Sequence, residues 1–280
     1  MKTKLIHIIV FITCAALCLS GCAYRHTEVE PHYGMTEVYN GVKNVWIVPE
    51  EGVPVNTIGA DDFVTDPLGN KVYCGGEFSA ALRGVDISSH QRDIDWKQVA
   101  DSGIGFAIIR VGGRYYGGDG EIYEDELFRQ NIQGAAEAGL AVGVYFFSQA
   151  INPDEARQEA EYVLNLLEGT KLQLPVFFDW ERIGNSQGRA DDIDSETMTQ
   201  NAITFCETVK AAGYEAGIYF NLDAAYYGYK MAELTDYPFW CASPGDYPYC
   251  YYAHSIWQYS FEGSVPGIYS DCDLDMMFID

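Results

Sequence analysis

The sequence predicts an α/β fold, an incomplete TIM-like (β/α)5(β)3 barrel preceded by a signal peptide and a tether. Three observations predict it. From Leu82 onward, short apolar segments alternate with amphipathic ones, the rhythm of a parallel sheet with crossover helices. After Phe220 three further strand-like segments follow with no helical pattern between them. Acids and aromatics recur near the C-terminal ends of the strands, the rim on which such barrels carry their working residues.

The elements follow in order. Residues 84–88 are the first strand and contain Asp86. Asp95 to Ser102 is a short helix closed by Gly103, and residues 106–111 are the second strand. Residues 124–138 are amphipathic and end at Gly139; residues 141–147, containing Tyr145, are the third strand. Asn152-Pro153 opens the next helix, with Asn as cap and Pro in the first turn. That helix runs to Leu167 and stops at Gly169. Residues 174–181, Leu-Pro-Val-Phe-Phe-Asp-Trp-Glu, form a fourth strand, rich in Val and Phe and opened by Pro. Asp194-Ser195 caps a helix that runs to Ala212 and is closed by Gly213. Residues 216–220, with Tyr219, are the fifth strand. Residues 238–242, 255–259 and 274–278 are the last three.

The fourth strand is the most informative. Side chains alternate along a strand, so Asp179 and Glu181 project to one side, with α-carbons roughly 6.6 Å apart. Two acids at the mouth of a buried strand raise each other's proton affinity and can be driven into different protonation states. An apolar strand ending in two same-face acids is costly unless they are solvated or functional. On the barrel reading Asp86, Tyr145, Tyr219, Gln258 and Asp273 join them on one rim. Taken singly, Asp86 and Asp273 read as ordinary loop or cap residues. His90 reads as a surface residue, the run Asp191-Asp192-Ile193-Asp194 as a solvated loop leading into a cap, and Tyr247–Tyr252 as packing.

Five pieces stand in order along the chain: Arg83-Gly-Val-Asp-Ile-Ser88, Gly143-Val-Tyr-Phe-Phe147, Phe178-Asp-Trp-Glu181, Ile256-Trp-Gln-Tyr259, and Gly267-Ile268 through Asp273-Leu274. Together they resemble glycoside hydrolase family 25, the Chalaropsis-type lysozymes (N-acetylmuramidases). The resemblance spans residues 83–280. It implies cleavage of the β-1,4 bond between N-acetylmuramic acid and N-acetylglucosamine in peptidoglycan, with no metal or cofactor. It implies Glu181 as general acid, Asp179 as its partner, and Asp86 and Asp273 as further acids of the floor. Tyr145, Tyr219 and Gln258 fall at positions lining the groove. Asp275 stands where the family often carries Asn, a departure that bears on subsite shape more than on chemistry. Two routes stay open. In one the substrate's 2-acetamido oxygen attacks the anomeric carbon; in the other a second acid, about 6.5–9.5 Å away, activates water.

Residues 1–21 read as a lipoprotein signal peptide: Lys2 and Lys4, an apolar stretch from Leu5 to Leu19, then Ser20-Gly21-Cys22, with Cys22 the lipidated residue. Residues 22–80 read as a tether, or as an extension packed on the barrel of residues 81–280. The expected location is the outer face of a bacterial membrane, lipid-anchored. Net charge −24 argues against nucleic acid as a partner, and the expected partner is the glycan strand of peptidoglycan, met by a monomer. Cys241 and Cys250 flank a Pro- and Tyr-rich loop and are open to either a disulfide or free thiols. No C-x-x-C or Cys/His cluster is legible, so a structural zinc site is not expected. Two other readings remain: a non-catalytic peptidoglycan-binding lipoprotein, and a glycosidase acting on another N-acetylhexosamine polymer.

Overall fold

From residue 80 onward the chain winds a barrel-like sheet. Its strands are β5 (Ala80–Ile87), β6 (Phe106–Arg114), β8 (Ala141–Ser148), β9 (Val176–Trp180), β10 (Ala216–Asn221), β11 (Phe239–Ala242), β12 (Ile256–Gly263) and β13 (Cys272–Ile279). They lie in the order β5-β6-β8-β9-β10-β11-β12-β13, and β13 pairs back onto β5 to close the ring. A short strand β7 (Ile122–Glu124) hangs on β6 as an antiparallel hairpin. The structure is a computed structural model that describes residue 32, residues 34–184 and residues 187–280. Cys22 and the signal segment of residues 1–21 lie outside the described residues.

Helices α1 (Trp96–Asp101), α2 (Phe128–Glu137), α3 (Pro153–Leu167) and α4 (Ser195–Ala211) connect the early strands. Their starts follow the local chemistry. Asn152 accepts from Glu155 N (3.0 Å) and Asp194 from Thr197 N (2.8 Å). The helix expected from residue 124 begins instead at Phe128, because residues 122–124 pair with β6. Between β10 and β11 stand only a π-helical turn (Ala224–Gly228) and a 3-10 turn (Met231–Glu233), and β11 and β12 are joined by a loop.

Strand alternation sorts the core into two layers. Val85, Ile87, Ile109, Val144, Phe146, Phe178 and Phe220 belong to the outer layer, packed with residues of the helices. Phe106, Ile108, Phe177, Tyr219, Trp240 and Ile256 form a separate cluster inside the barrel. Two glycines make room for that plug. A Cβ at Gly84 would sit 2.2 Å from the Phe106 ring, and one at Gly217 would sit 2.5 Å from the Phe177 ring.

One feature differs from the sequence expectation, and a second decides between two alternatives that the sequence left open. The last strand is antiparallel to both its neighbours, whereas the βα rhythm implied a parallel sheet. The consequence is large, because the start of β13 then lies at the same end of the barrel as the C-terminal end of β5, and Asp273 is the direct partner of Asp86. The second feature is residues 34–80, which pack on the barrel within one compact unit of residues 34–280. They form two hairpins, β1 (Thr36–Tyr39) with β2 (Asn44–Ile47), and β3 (Phe63–Thr65) with β4 (Lys71–Tyr73). Ile58, Phe63 and Tyr73 pack with Trp257, Met276 and Phe278, and Val55 bridges Tyr252. Tyr39 meets Tyr249 edge-on at 5.3 Å, so the Tyr-rich loop serves packing. Cys241 and Cys250 are free, buried thiols.

Glu50 ties this extension down: its two carboxylate oxygens accept from Met231 N (3.0 Å) and Ala232 N (2.9 Å) at the start of the 3-10 turn. Charged acceptors of this kind contribute about 1.5–3 kcal/mol. Glu50→Ala should lower unfolding free energy by that amount in urea titrations and increase proteolytic cleavage within residues 34–80.

Candidate active site

The C-terminal ends of the parallel strands surround a cavity of about 280 Å³, lined by Asp86, Tyr145, Asp179, Glu181, Tyr219, Trp240, Gln258, Phe261 and Asp273. All seven residues singled out from the sequence therefore meet in one place. Each strand contributes by its alternation. In β9, Phe178 and Trp180 face the helices, while Phe177 and Asp179 face the interior. Glu181, the next residue on the inner side, lies just past the strand end.

A chain of hydrogen bonds crosses the barrel below the cavity. Tyr219 Oη donates to Gln258 Oε1 (3.0 Å), and Gln258 Nε2 donates to Asp86 Oδ2 (2.6 Å). Asp275 and Asp273 both lie close enough to Asp86 for the three carboxyls to act on one another's protons. Trp240 Nε1 donates to Asp275 Oδ1 (2.8 Å), and Asp275 Oδ2 is buried without a hydrogen-bond partner. Burial raises Asp86 well above the usual carboxylate range, and the charges of Asp275 and Asp273 add to it, against the opposing Gln258 bond. Burial pushes Asp275 up to about 8 and Asp273 up to about 6.

The second acid pair sits opposite. Burial raises Asp179 well above its ordinary value and the Glu181 charge adds to this, while Arg110 pulls the other way. Burial also raises Glu181; a hydrogen bond with Asn221 opposes the shift and the Asp273 charge supports it. The larger cause is thus desolvation rather than mutual repulsion among the acids. Asp179 Oδ1 is buried and has no hydrogen-bond partner. The backbone of Glu181 is held by Gln149 Nε2, which donates to its carbonyl (3.1 Å). Beyond it, Asp191 accepts from Ile183 N (2.8 Å), Gly184 N (2.9 Å) and Gly188 N (3.2 Å). Asp191 is therefore buried and shapes the loop after β9, where the charge run had read as solvated. Asp194 next to it does cap α4.

Sequence reasoning missed four contributors. Arg110, inward on β6 and paired with Asp125 at 2.7 Å, is the cation that acts on Asp179. Trp240 meets Tyr219 at 4.6 Å, Phe177 at 5.3 Å and Tyr145 at 5.9 Å, and forms the floor. Asn221 and Phe261 complete the list. Asp275 had been read as bearing on subsite shape; it is instead fully buried beneath the cavity, beside Asp86 and bonded by Trp240. An acid flanked by Leu274, Met276 and Met277 is the signal that marks it.

Comparison with known proteins follows the same pattern. Residues 85–268 match glycosyl hydrolases family 25. The chain belongs to this family. It is 29% identical to an autolytic lysozyme of Clostridium acetobutylicum over 196 residues, 69% of this chain and 55% of that protein. It is 26% identical to lysozyme M1 of Streptomyces globisporus over 206 residues, 70% of this chain and 67% of that one. Among solved structures, the modular autolysin LytC of Streptococcus pneumoniae matches with a TM-score of 0.63 at 23% identity, covering 77% of this chain and 52% of that one. A family 25 glycosyl hydrolase of Bacillus anthracis matches with a TM-score of 0.58 at 21% identity, covering 74% and 92%. The family 25 chain described here thus spans about half the length of the first of these relatives.

The raised acids carry a stability signature. A carboxyl with an unfolded value of about 3.9 and a folded value of about 8 holds an extra proton in the native state, so stability falls as pH rises through that window. Asp275→Asn keeps an oxygen for Trp240 Nε1 and supplies a permanent donor for Asp86. Its melting temperature should match the parent near pH 4 and exceed it near pH 8. An unchanged pH slope would remove Asp275 as the proton-holding group.

Proposed function

We propose that this chain is a peptidoglycan muramidase that hydrolyses the β-1,4 bond between N-acetylmuramic acid and N-acetylglucosamine, for cell-wall remodelling or lysis. The observation that carries it is the cavity in which Glu181 and Asp179 face Asp86 and Asp273 over an aromatic floor. Membership of family 25 and the lysozymes among its relatives support the reading. We read the barrel as the incomplete (β/α)5(β)3 type, on the helices behind its early strands and the loop between β11 and β12.

Glu181 is the proton donor. Desolvation keeps its carboxyl protonated at higher pH than in water. That proton removes the smaller of the two causes that raise Asp179; the larger, desolvation, remains and is opposed by Arg110. The unpartnered Asp179 Oδ1 is the acceptor for the substrate's acetamido N–H. In the first step the acetamido oxygen bonds to the anomeric carbon, the glycosidic C–O bond breaks, and the Glu181 proton passes to the departing oxygen. In the second step water attacks the anomeric carbon, its proton returns to Glu181, and the acetamido oxygen is released. The product leaves with retained configuration.

Cys22 anchors the protein through lipid at the outer face of the membrane, a reading supported by the Leu19-Ser20-Gly21-Cys22 ending behind its apolar stretch.

Glu181→Gln should reduce the release of reducing-end N-acetylmuramic acid from purified peptidoglycan by about 10²–10⁴-fold. Fragments ending in N-acetylglucosamine, or chitin cleaved in preference to wall, would sink the assignment; wall that is bound but not cut would support a binding protein. NMR of the first-formed product should show the β-anomer, and the α-anomer would exclude the acetamido route. Cys22→Ala should release the protein from membranes and remove the lipid mass from its N-terminal peptide.

A further inference from the structure

The barrel holds a second group of chemically competent side chains on its outer side, away from the cavity. Cys241 lies on β11, and its neighbours Trp240 and Ala242 face the barrel interior. Cys241 itself belongs to the outer layer with Cys250. Cys250 and His254 come from the loop that joins β11 to β12. All three are buried, and one ligand atom from each lies within 4.8 Å of the others. The sequence separations gave no sign of this, because the loop must fold back on β11 to bring the three together.

We propose that Cys241, Cys250 and His254 form a binding site for Zn²⁺ that clasps β11 to the loop and to the extension above it. The imidazole is prepared for such a role. Its Nδ1 lies 3.0 Å from the Tyr252 carbonyl. A carbonyl only accepts, so Nδ1 carries the hydrogen and Nε2 keeps its lone pair. A ring hydrogen bonded to a backbone carbonyl is the usual support for a ligating histidine. Nε2 is buried and has no hydrogen-bond partner, an arrangement that is costly unless something binds there. A hydrogen on Nε2 would have no acceptor there, so the buried site favours the neutral ring that a ligand must be.

Distance and charge both select the ion. With Zn–S about 2.3 Å and Zn–N about 2.0 Å, tetrahedral ligand atoms stand roughly 3.5–3.8 Å apart. The cluster therefore needs to close by only roughly 1 Å. Two thiolates, a neutral imidazole and Zn²⁺ sum to zero charge, which suits a site without solvent, whereas a monovalent soft ion would leave a buried negative charge. Binding expels both thiol protons to solvent. The Ser243 hydroxyl, buried and also without a hydrogen-bond partner, lies beside the Cys241 thiol and is the candidate fourth ligand. Residues of the extension close the site over. Pro54 O accepts from Ala253 N (2.9 Å), Tyr251 O accepts from Asn56 N (2.9 Å), and Tyr252 Oη accepts from Glu50 N (3.2 Å).

The test uses the full chain, fully reduced and stripped of metal, titrated with Co²⁺ and then Zn²⁺. The expected result is a thiolate-to-cobalt charge-transfer band that saturates at about one ion per chain, is displaced by Zn²⁺, and strengthens with rising pH. Zn²⁺ should raise the melting temperature. Cys250→Ser and His254→Gln should each lose the band, and peptidoglycan hydrolysis by these variants reports that they are folded. Glu181→Gln should keep it, which separates this site from the acidic cavity. No band from folded, reduced protein would overturn the proposal. So would a band that survives Cys250→Ser, or a Cys241–Cys250 disulfide whose reduction brings no metal uptake.

Discussion

The structure depends on a chain of polar groups threaded through a closed barrel. Tyr219, Gln258, Asp86, Asp275 and Trp240 come from β10, β12, β5, β13 and β11; hydrogen bonds run from Tyr219 to Gln258 to Asp86 and from Trp240 to Asp275, with the two acids beside each other. Carboxyls inside a barrel are tolerable only when protons and hydrogen bonds neutralise them. Here burial raises Asp86 well above the usual carboxylate range and Asp275 to about 8, so both hold their protons more tightly than in water. That lets the barrel hold acids above an aromatic plug without collapsing around them. The raised proton affinity at the mouth is a consequence of the same desolvation.

The direction of the last strand gives this chain its fourth acid. A parallel β13 would place Asp273 at the far end of the barrel, because residues at the start of a parallel strand lie on the opposite rim. Antiparallel pairing with β5 sets Asp273 directly against Asp86. The register is then locked by packing on both faces of the strand, since a shift of one residue would turn Met276 inward and Asp275 outward.

The extension and the late strands are two halves of one solution. Helices cover the outer face of the early strands, but β11 and β12 are joined by a loop and need another cover. Residues 34–80 supply it, with Ile58, Phe63 and Tyr73 over Trp257 and Phe278. The loop pinned beneath the extension is also the one that gathers Cys250 and His254 beside Cys241.

Much of this was legible without coordinates. Alternation placed Asp179 and Glu181 on one face, caps at Asn152 and Asp194 set the helix starts, and the strand ends named seven of the residues that line the cavity. These are local properties, decided within a few residues by side-chain direction and hydrogen-bonding chemistry. Arg110, Trp240, the burial of Asp191 and the Cys241–Cys250–His254 group were not legible, because each depends on which strands become neighbours. For residues 34–80 the sequence offered a tether or a packed extension and could not choose, since its short strands acquire a reason to be ordered only when the barrel offers an uncovered face. Local sequence pattern determined the elements and the chemistry at their ends. Only tertiary structure decided the direction of β13, the dielectric around the acids and the company each side chain keeps, since those follow from burial, which no single segment specifies.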